Sequence, residues 1–277
     1  MTGILVSFCT VVAAQDSTSK KSYGSASLNF INNSVYSGRK DSLTTPYLTP
    51  LLGYYDKSGF FINGSASYLM RSGSSRFDLF SLGAGYIFTA GNFEGEITAE
   101  KLFYNNSSTN IKSEVKADIA AMASYDFGFI ESSLQPGINF GKKTDYWLSW
   151  GLDHRFLPNE KWEITPSFSL NAETRNFYAS YFGNRRFRPR SGQVNTTVTA
   201  SVQDASKLKI MNYEFSLPVI YSAGNFTFGF TPYYSIPANP AVVTVVIRAA
   251  SGPAVTKIIT EKTENIFYFS FDVSWKF

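Results

Sequence analysis

The sequence is short of almost everything that marks a soluble enzyme. Cys9 is its one cysteine, so no disulfide can close within the chain. His154 is its one histidine, which leaves little for metal binding or general acid–base work. Charged residues make up 17% of the 277, below the roughly 25% of ordinary soluble domains. Past the first segment no apolar run reaches the roughly eighteen residues of a membrane-spanning helix. Phosphate-cradling glycine loops, metal-ligand spacings and nucleic-acid motifs are missing too, so neither a cofactor nor a nucleic-acid partner is expected.

What is present is aromatic. Phe and Tyr contribute 25 and 17 residues, and with Ser, Thr, Asn and Gly they favour strands and turns over helices. They recur with period two. In "IFYFSFDVSWKF", Phe267, Phe269, Phe271, Val273, Trp275 and Phe277 alternate with Tyr268, Ser270, Asp272, Ser274 and Lys276. The same alternation runs through 62–70, 93–103, 115–125, 130–140 and 162–173. The apolar face carries Gly and Ala in mid-strand and aromatics at the strand ends. A sandwich core needs close filling, whereas a lipid-facing wall with aromatic girdles has this profile.

Short turns at 56–60, 89–93, 126–129, 157–162 and 222–226 take turns with longer polar connections. The count predicts an all-β fold, a closed antiparallel transmembrane barrel of about twelve strands over 23–277 with short periplasmic turns and longer extracellular loops. Pro136, Pro166, Pro218 and Pro232 fall inside expected strands and predict bulges or weak pairings. Residues 1–14 read as a secretory signal lacking its usual basic start, with cleavage after Ala14, and 15–22 as a short leading segment.

Parity assigns a set of charged residues to the lumen: Glu94, Glu96, Glu100, Lys116, Asp118, Glu131, Glu163, Glu173, Arg175, Glu214 and Asp272. Two readings follow. An acid-rich constriction favours cations, because a narrow low-dielectric channel concentrates field lines. If the 104–113 loop is symmetric about residue 108, Glu100 instead faces Lys116 in a lumenal salt bridge. Among the long loops, one holds Arg185, Arg186, Arg188 and Arg190, a fork set suited to phosphate or simply a solvated basic loop. The last loop reads as a hairpin turning near Ser251–Pro253 that extends the final two strands, with Val242–Ile247 paired to its own return strand.

The closing strand resembles the terminal assembly signal of bacterial outer-membrane β-barrel proteins, matched by Phe269, Phe271, Val273, Trp275 and Phe277. Its turn style is similar to that of Bacteroidota barrels. The resemblance implies an outer-membrane location and recognition by the barrel assembly machinery. It further implies closure against a first strand near "SYGSASLNF", and contact with membrane lipids and lipopolysaccharide. Similar barrels include a phospholipase with a Ser/His/Asn set near the outside; His154, close to a short turn, is on the wrong side for that, so no enzyme is expected. The function expected is a passive small-solute channel with weak cation preference. The alternative is a non-conducting structural or interaction barrel that binds lipopolysaccharide or a partner through its loops.

Overall fold

The computed structural model describes residues 21–40, 44–108, 110–181, 196–249 and 253–277. The signal segment, Arg185, Arg186, Arg188, Arg190, Ser251 and Gly252 lie outside the described residues.

Twelve barrel strands follow one another along the chain. They are β1 (Tyr23–Ile31), β2 (Tyr47–Tyr55), β3 (Phe60–Leu69), β4 (Arg76–Ala90), β5 (Phe93–Tyr104), β6 (Ala117–Asp126) and β7 (Glu131–Phe140). Next come β8 (Thr144–Asp153, resumed as Phe156–Asn159), β9 (Trp162–Ile164, resumed as Ser167–Glu173) and β10 (Lys209–Ser216, resumed as Val219–Ala223). β11 (Phe226–Pro237) and β12 (Ile266–Lys276) complete the set. Each pairs antiparallel with its sequence neighbours, and β1 pairs with β12, so the sheet closes and exposes no edge. Closure is sealed by reciprocal bonds between Gly24 and Phe277 of 2.8 and 2.9 Å.

The alternation read from the sequence becomes a wall. Leu52, Ile62, Leu82, Ile97, Phe215, Phe267 and Phe271 are exposed on the outer face. A continuous apolar belt of this kind is stable only against lipid. Strands of about ten residues, rising ~3.3 Å each and tilted near 40°, span about the 25 Å of an outer-membrane apolar core.

The prolines have a definite effect. Asp153 pairs with Ser167 and Phe156 with Ile164, so β8 and β9 keep one register across their interruptions. β9 and β10 do the same through Ser167–Ser216 and Ile164–Val219. Across these interruptions the register does not slip; a donor is missing. His154 donates to Pro166, Thr165 to Pro218 and Leu217 to Pro232, and none of these prolines can donate back. Three neighbouring seams are each reduced to a single bond at one place. Pro136 lies within an uninterrupted β7 opposite Leu148.

At the long-loop end the connections fold over the mouth as a cap. It contains the hairpin Val35–Tyr36/Arg39–Lys40, a 3₁₀ turn at Ile111–Glu114 and a short helix at Asn176–Tyr181. A three-stranded sheet joins Thr196–Val202, Val242–Ala249 and Val255–Thr260. The last loop does form a hairpin with its return strand, but it does not extend β11 and β12. Val242–Ala249 takes Thr196–Val202 as a second neighbour, because Val243 and Val245 bury their side chains in the cap rather than above the membrane. Their core includes Tyr36, Ile111, Val115, Phe177 and Tyr178, set against Leu79 and Leu102 of the barrel wall. Val115, read as lipid-facing, belongs to this core.

Candidate functional site: an acidic lumen beneath a loop cap

Register fixes which carboxylates share the lumen. Glu100 on β5 stands directly opposite Asp118 on β6. Glu131 on β7 stands opposite Asp153 on β8, and Asp126 opposite Glu131. Glu94 lies opposite Ser124 and Glu96 opposite Met122, both half-buried. Glu214, Asp272 and Glu163 enter from β10, β12 and β9. Like charges directly opposed across strands are destabilising, so a purely structural lumen has no use for them.

Several of these acids are held by neutral donors. Asp118, 7% exposed, accepts from Trp147 Nε1 at 3.0 Å. Glu214 accepts from the Tyr268 hydroxyl at 2.8 Å, and Asp272 from Asn29. Glu163 is paired with Arg155 at 2.9 Å. Among the described residues the other inward strand bases are Arg76, paired with Asp78 at 2.8 Å, Lys209, opposite Glu173 and paired with Asp204 at 3.0 Å, and Lys276, whose Nζ rests 3.9 Å from the Tyr23 ring centroid. Acid therefore outnumbers base along the strands.

Two assignments read from the sequence change. Lys116 does not face Glu100. The connection from β5 to β6 is centred one residue later than 108, which brings Asp118 opposite Glu100. Lys116 itself is exposed, while Leu102 and Asp118 beside it are buried, so it points away from the capped lumen. Lys116 donates its N–H to Phe140 O although Ala117 is already paired with Phe140, and this local crowding of two residues against one turns the lysine outward. Arg175 is not in the lumen either. It follows the end of β9, is 1% exposed within the cap, and donates to Asn239 O at 2.8 Å. His154 stays at the short-turn end, where its Nδ1 meets Phe129 O of the neighbouring short turn and its ring lies beside Phe156 on the outer wall.

The residues that sequence reading passed over are those joining cap to barrel. Tyr36 donates to Glu173 at 2.6 Å and receives Asn139 Nδ2 at 3.3 Å. Arg39, 4% exposed, donates to Met211 O and Ala238 O at 2.7 Å and pairs with Glu261 at 3.5 Å. Glu261 also accepts from Ala241 N at 2.9 Å and from the Tyr178 hydroxyl. Asp145, 1% exposed, accepts the free N–H groups of Asn176 and Phe177 at 2.6 and 2.8 Å and so caps the short helix from the barrel rim. Lys112 is 5% exposed in the 3₁₀ turn, its Nζ 5.4 Å from the Tyr36 ring, within electrostatic reach of Glu100 and Glu173. The cap thus places Lys112 over Glu100 and Glu173, with Arg39 also acting on Glu173. Trp147 narrows the lumen further: its ring lies so close over Gly137 that a Cβ there would meet Trp147 Cε2 at 2.2 Å.

No family model matches the chain. No curated protein matches it. Among solved structures, the chain is similar to the KdgM porin with a TM-score of 0.48 and 10% identity over 92% of this chain and 99% of that one. It is similar to the NanC porin with a TM-score of 0.46 and 8% identity, covering 91% and 97% of the two chains. It is similar to LpxR from Salmonella typhimurium with a TM-score of 0.46 and 9% identity, covering 91% and 99%. At such low identity, the residues of this chain's own lumen have to indicate what it does.

Proposed function

We propose that the chain is an outer-membrane channel for small solutes, with weak cation preference and a loop cap over its extracellular mouth. The supporting observation is the lumenal charge. Glu100 opposes Asp118 and Glu131 opposes Asp153, while the inward strand bases among the described residues are Arg76, Arg155 and Lys209, each bound to a carboxylate, and Lys276. Unbalanced acid in a narrow passage draws in cations. The outer-membrane placement draws on the aromatic belt and on the closing strand's Phe269, Phe271, Val273, Trp275 and Phe277, the pattern read by barrel assembly machinery. No catalytic role is assigned to any residue.

The cap favours a second reading, a non-conducting interaction barrel. Tyr36, Phe177, Val243 and Val245 are at most 4% exposed, so the cap is a folded core and not a loose loop. Refolded protein in a planar lipid bilayer separates the two readings. Discrete conductance steps that disappear on heat denaturation support the channel. A silent bilayer with demonstrably folded, inserted protein overturns it.

A further inference from the structure

We propose that the outer rim of β5–β8 binds an anionic, phosphate-bearing outer-leaflet glycolipid, with Lys101, Lys116, Lys142 and Lys143 taking its phosphates. This rests on the outer-membrane placement above but not on whether the lumen conducts.

The lysines are brought together by the topology. Lys101 pairs with Ala117, the residue after Lys116, and Ala117 pairs with Phe140. Lys142 and Lys143 sit in the short connection from β7 to β8 directly beyond Phe140. All are exposed. Lys101 shares its face with Leu82, which is 62% exposed to the outside, and its Nζ lies 6.0 Å from the Phe103 ring centroid. Lys116 is turned outward by the crowding against Phe140 described above.

These lysines differ from four other cations at the same end of the barrel. Lys40, Arg76, Lys207 and Lys209 each have a carboxylate within 4.0 Å: Glu264, Asp78 and, for the last two, Asp204. Among the described residues no carboxylate lies that close to Lys101, Lys116, Lys142 or Lys143. Of the acids nearest in the chain, Glu100 and Asp118 face each other in the lumen, Asp145 caps the short helix, and Glu114 has its carbonyl packed against Gly141.

Phe140 is level with Lys101, Phe103 lies nearer the rim, and Ile119 and Tyr146 lie below; these four wall residues are between 38% and 56% exposed. The patch therefore offers charge at headgroup depth and a smooth surface for acyl chains beneath it. The charge selects among lipids. Four lysines match two phosphomonoesters, each carrying about −1.5 to −2, better than a phosphodiester phospholipid with a single charge. A bis-phosphorylated, multiply acylated glycolipid such as lipid A has that chemistry.

The test uses the full barrel in uncharged detergent, with native mass spectrometry reading retained lipid. Lipid A is expected to be retained at least about tenfold more than phosphatidylglycerol, and phosphatidylcholine not at all. Inorganic phosphate at equal concentration should not displace it. K101Q/K116Q/K142Q/K143Q should lose about tenfold or more of the retention, with heat-modifiable migration unchanged to show that the barrel still folds. K257Q/K262Q, at exposed lysines of the cap hairpin and its exit, should retain it. Equal retention by the quadruple variant, equal loss in the hairpin control, or phosphatidylglycerol bound as well as lipid A would each overturn the assignment.

Discussion

Tyr36→Phe is expected to loosen the cap while leaving the barrel intact. The substitution keeps the ring and its edge contact with Phe177 at 5.5 Å, and removes only the hydroxyl. That hydroxyl donates to Glu173 at 2.6 Å, and both residues are at most 2% exposed. Burial pushes the Tyr36 hydroxyl well above its ordinary value, and Glu173 adds to the shift, so it remains a donor throughout the working pH range. Leaving a buried acceptor without its donor costs about 1–3 kcal/mol, so losing ~2 kcal/mol raises the cap-open population roughly thirtyfold. Asn139 Nδ2 loses its acceptor in the same change, which acts in the same direction. Limited proteolysis under native conditions reads this population, because cleavage follows the open fraction when reclosing is fast. Cap cleavage should accelerate by that order, and channel openings should become more frequent. An unchanged cleavage rate, or a cap loosened only together with the barrel's heat-modifiable transition, would refute the idea that Tyr36–Glu173 latches the cap.

Lys112→Gln removes the tethered cation over Glu100 and Glu173, so cation preference in a salt gradient should increase; an unchanged reversal potential counts against a lumenal role for this lysine. Gly137→Ala puts a Cβ 2.2 Å from Trp147 Cε2, and overpacking of that kind costs about 1–3 kcal/mol, so the heat-modifiable transition should fall and Trp147 should release Asp118. Asp56, in the turn after β2, is held at about 2, below its ordinary 3.8, first by the Ser58 hydroxyl and then by the Ser58 N–H and Ser22 hydroxyl. Its folded value is depressed, so its contribution to turn stability is present above pH 3.8 and is lost as pH falls towards about 2. Carboxyl titration by NMR should place Asp56 still ionised at pH 3, and Ser58→Ala should raise its midpoint.

The wall was legible because it obeys a single rule. Period-two alternation, short Gly-containing turns and an even strand count follow from lipid outside and closure around a lumen, and each leaves a mark on local sequence. Less was legible inside. Alternation put Tyr268 on the polar face, but the other inward aromatics went unread: Tyr36, Tyr47 and Trp147 are buried, at most 7% exposed. Parity could have flagged Trp147, since it alternates with the outward Tyr146 and Leu148. The Glu100–Lys116 pairing failed by one residue of loop symmetry, the kind of offset a hairpin length alone does not determine. The cap was missed because its loops were judged by their polar residues. Ile111, Val115, Phe177, Val243 and Val245 were the signal: apolar residues in long loops need something to bury against. The bonds between Arg39 and Glu261 and between Tyr36 and Glu173 join positions hundreds or scores of residues apart, and no local pattern carries such pairings.

The most direct test of an acidic, cation-preferring lumen is the reversal potential of the barrel in a salt gradient, before and after Glu100→Gln with Asp118→Asn. A cation on the pore axis ~5 Å from each carboxylate gains about 0.8 kcal/mol from each at water-like dielectric. Screening at 0.1 M salt leaves on the order of 1 kcal/mol for the pair, or about a fivefold enrichment of cations over bulk, with anions disfavoured to the same extent. The unsubstituted protein should therefore show a potential of cation-selective sign, and the double variant one clearly closer to zero. Anion selectivity in the unsubstituted protein, or an identical potential in the double variant, would contradict it.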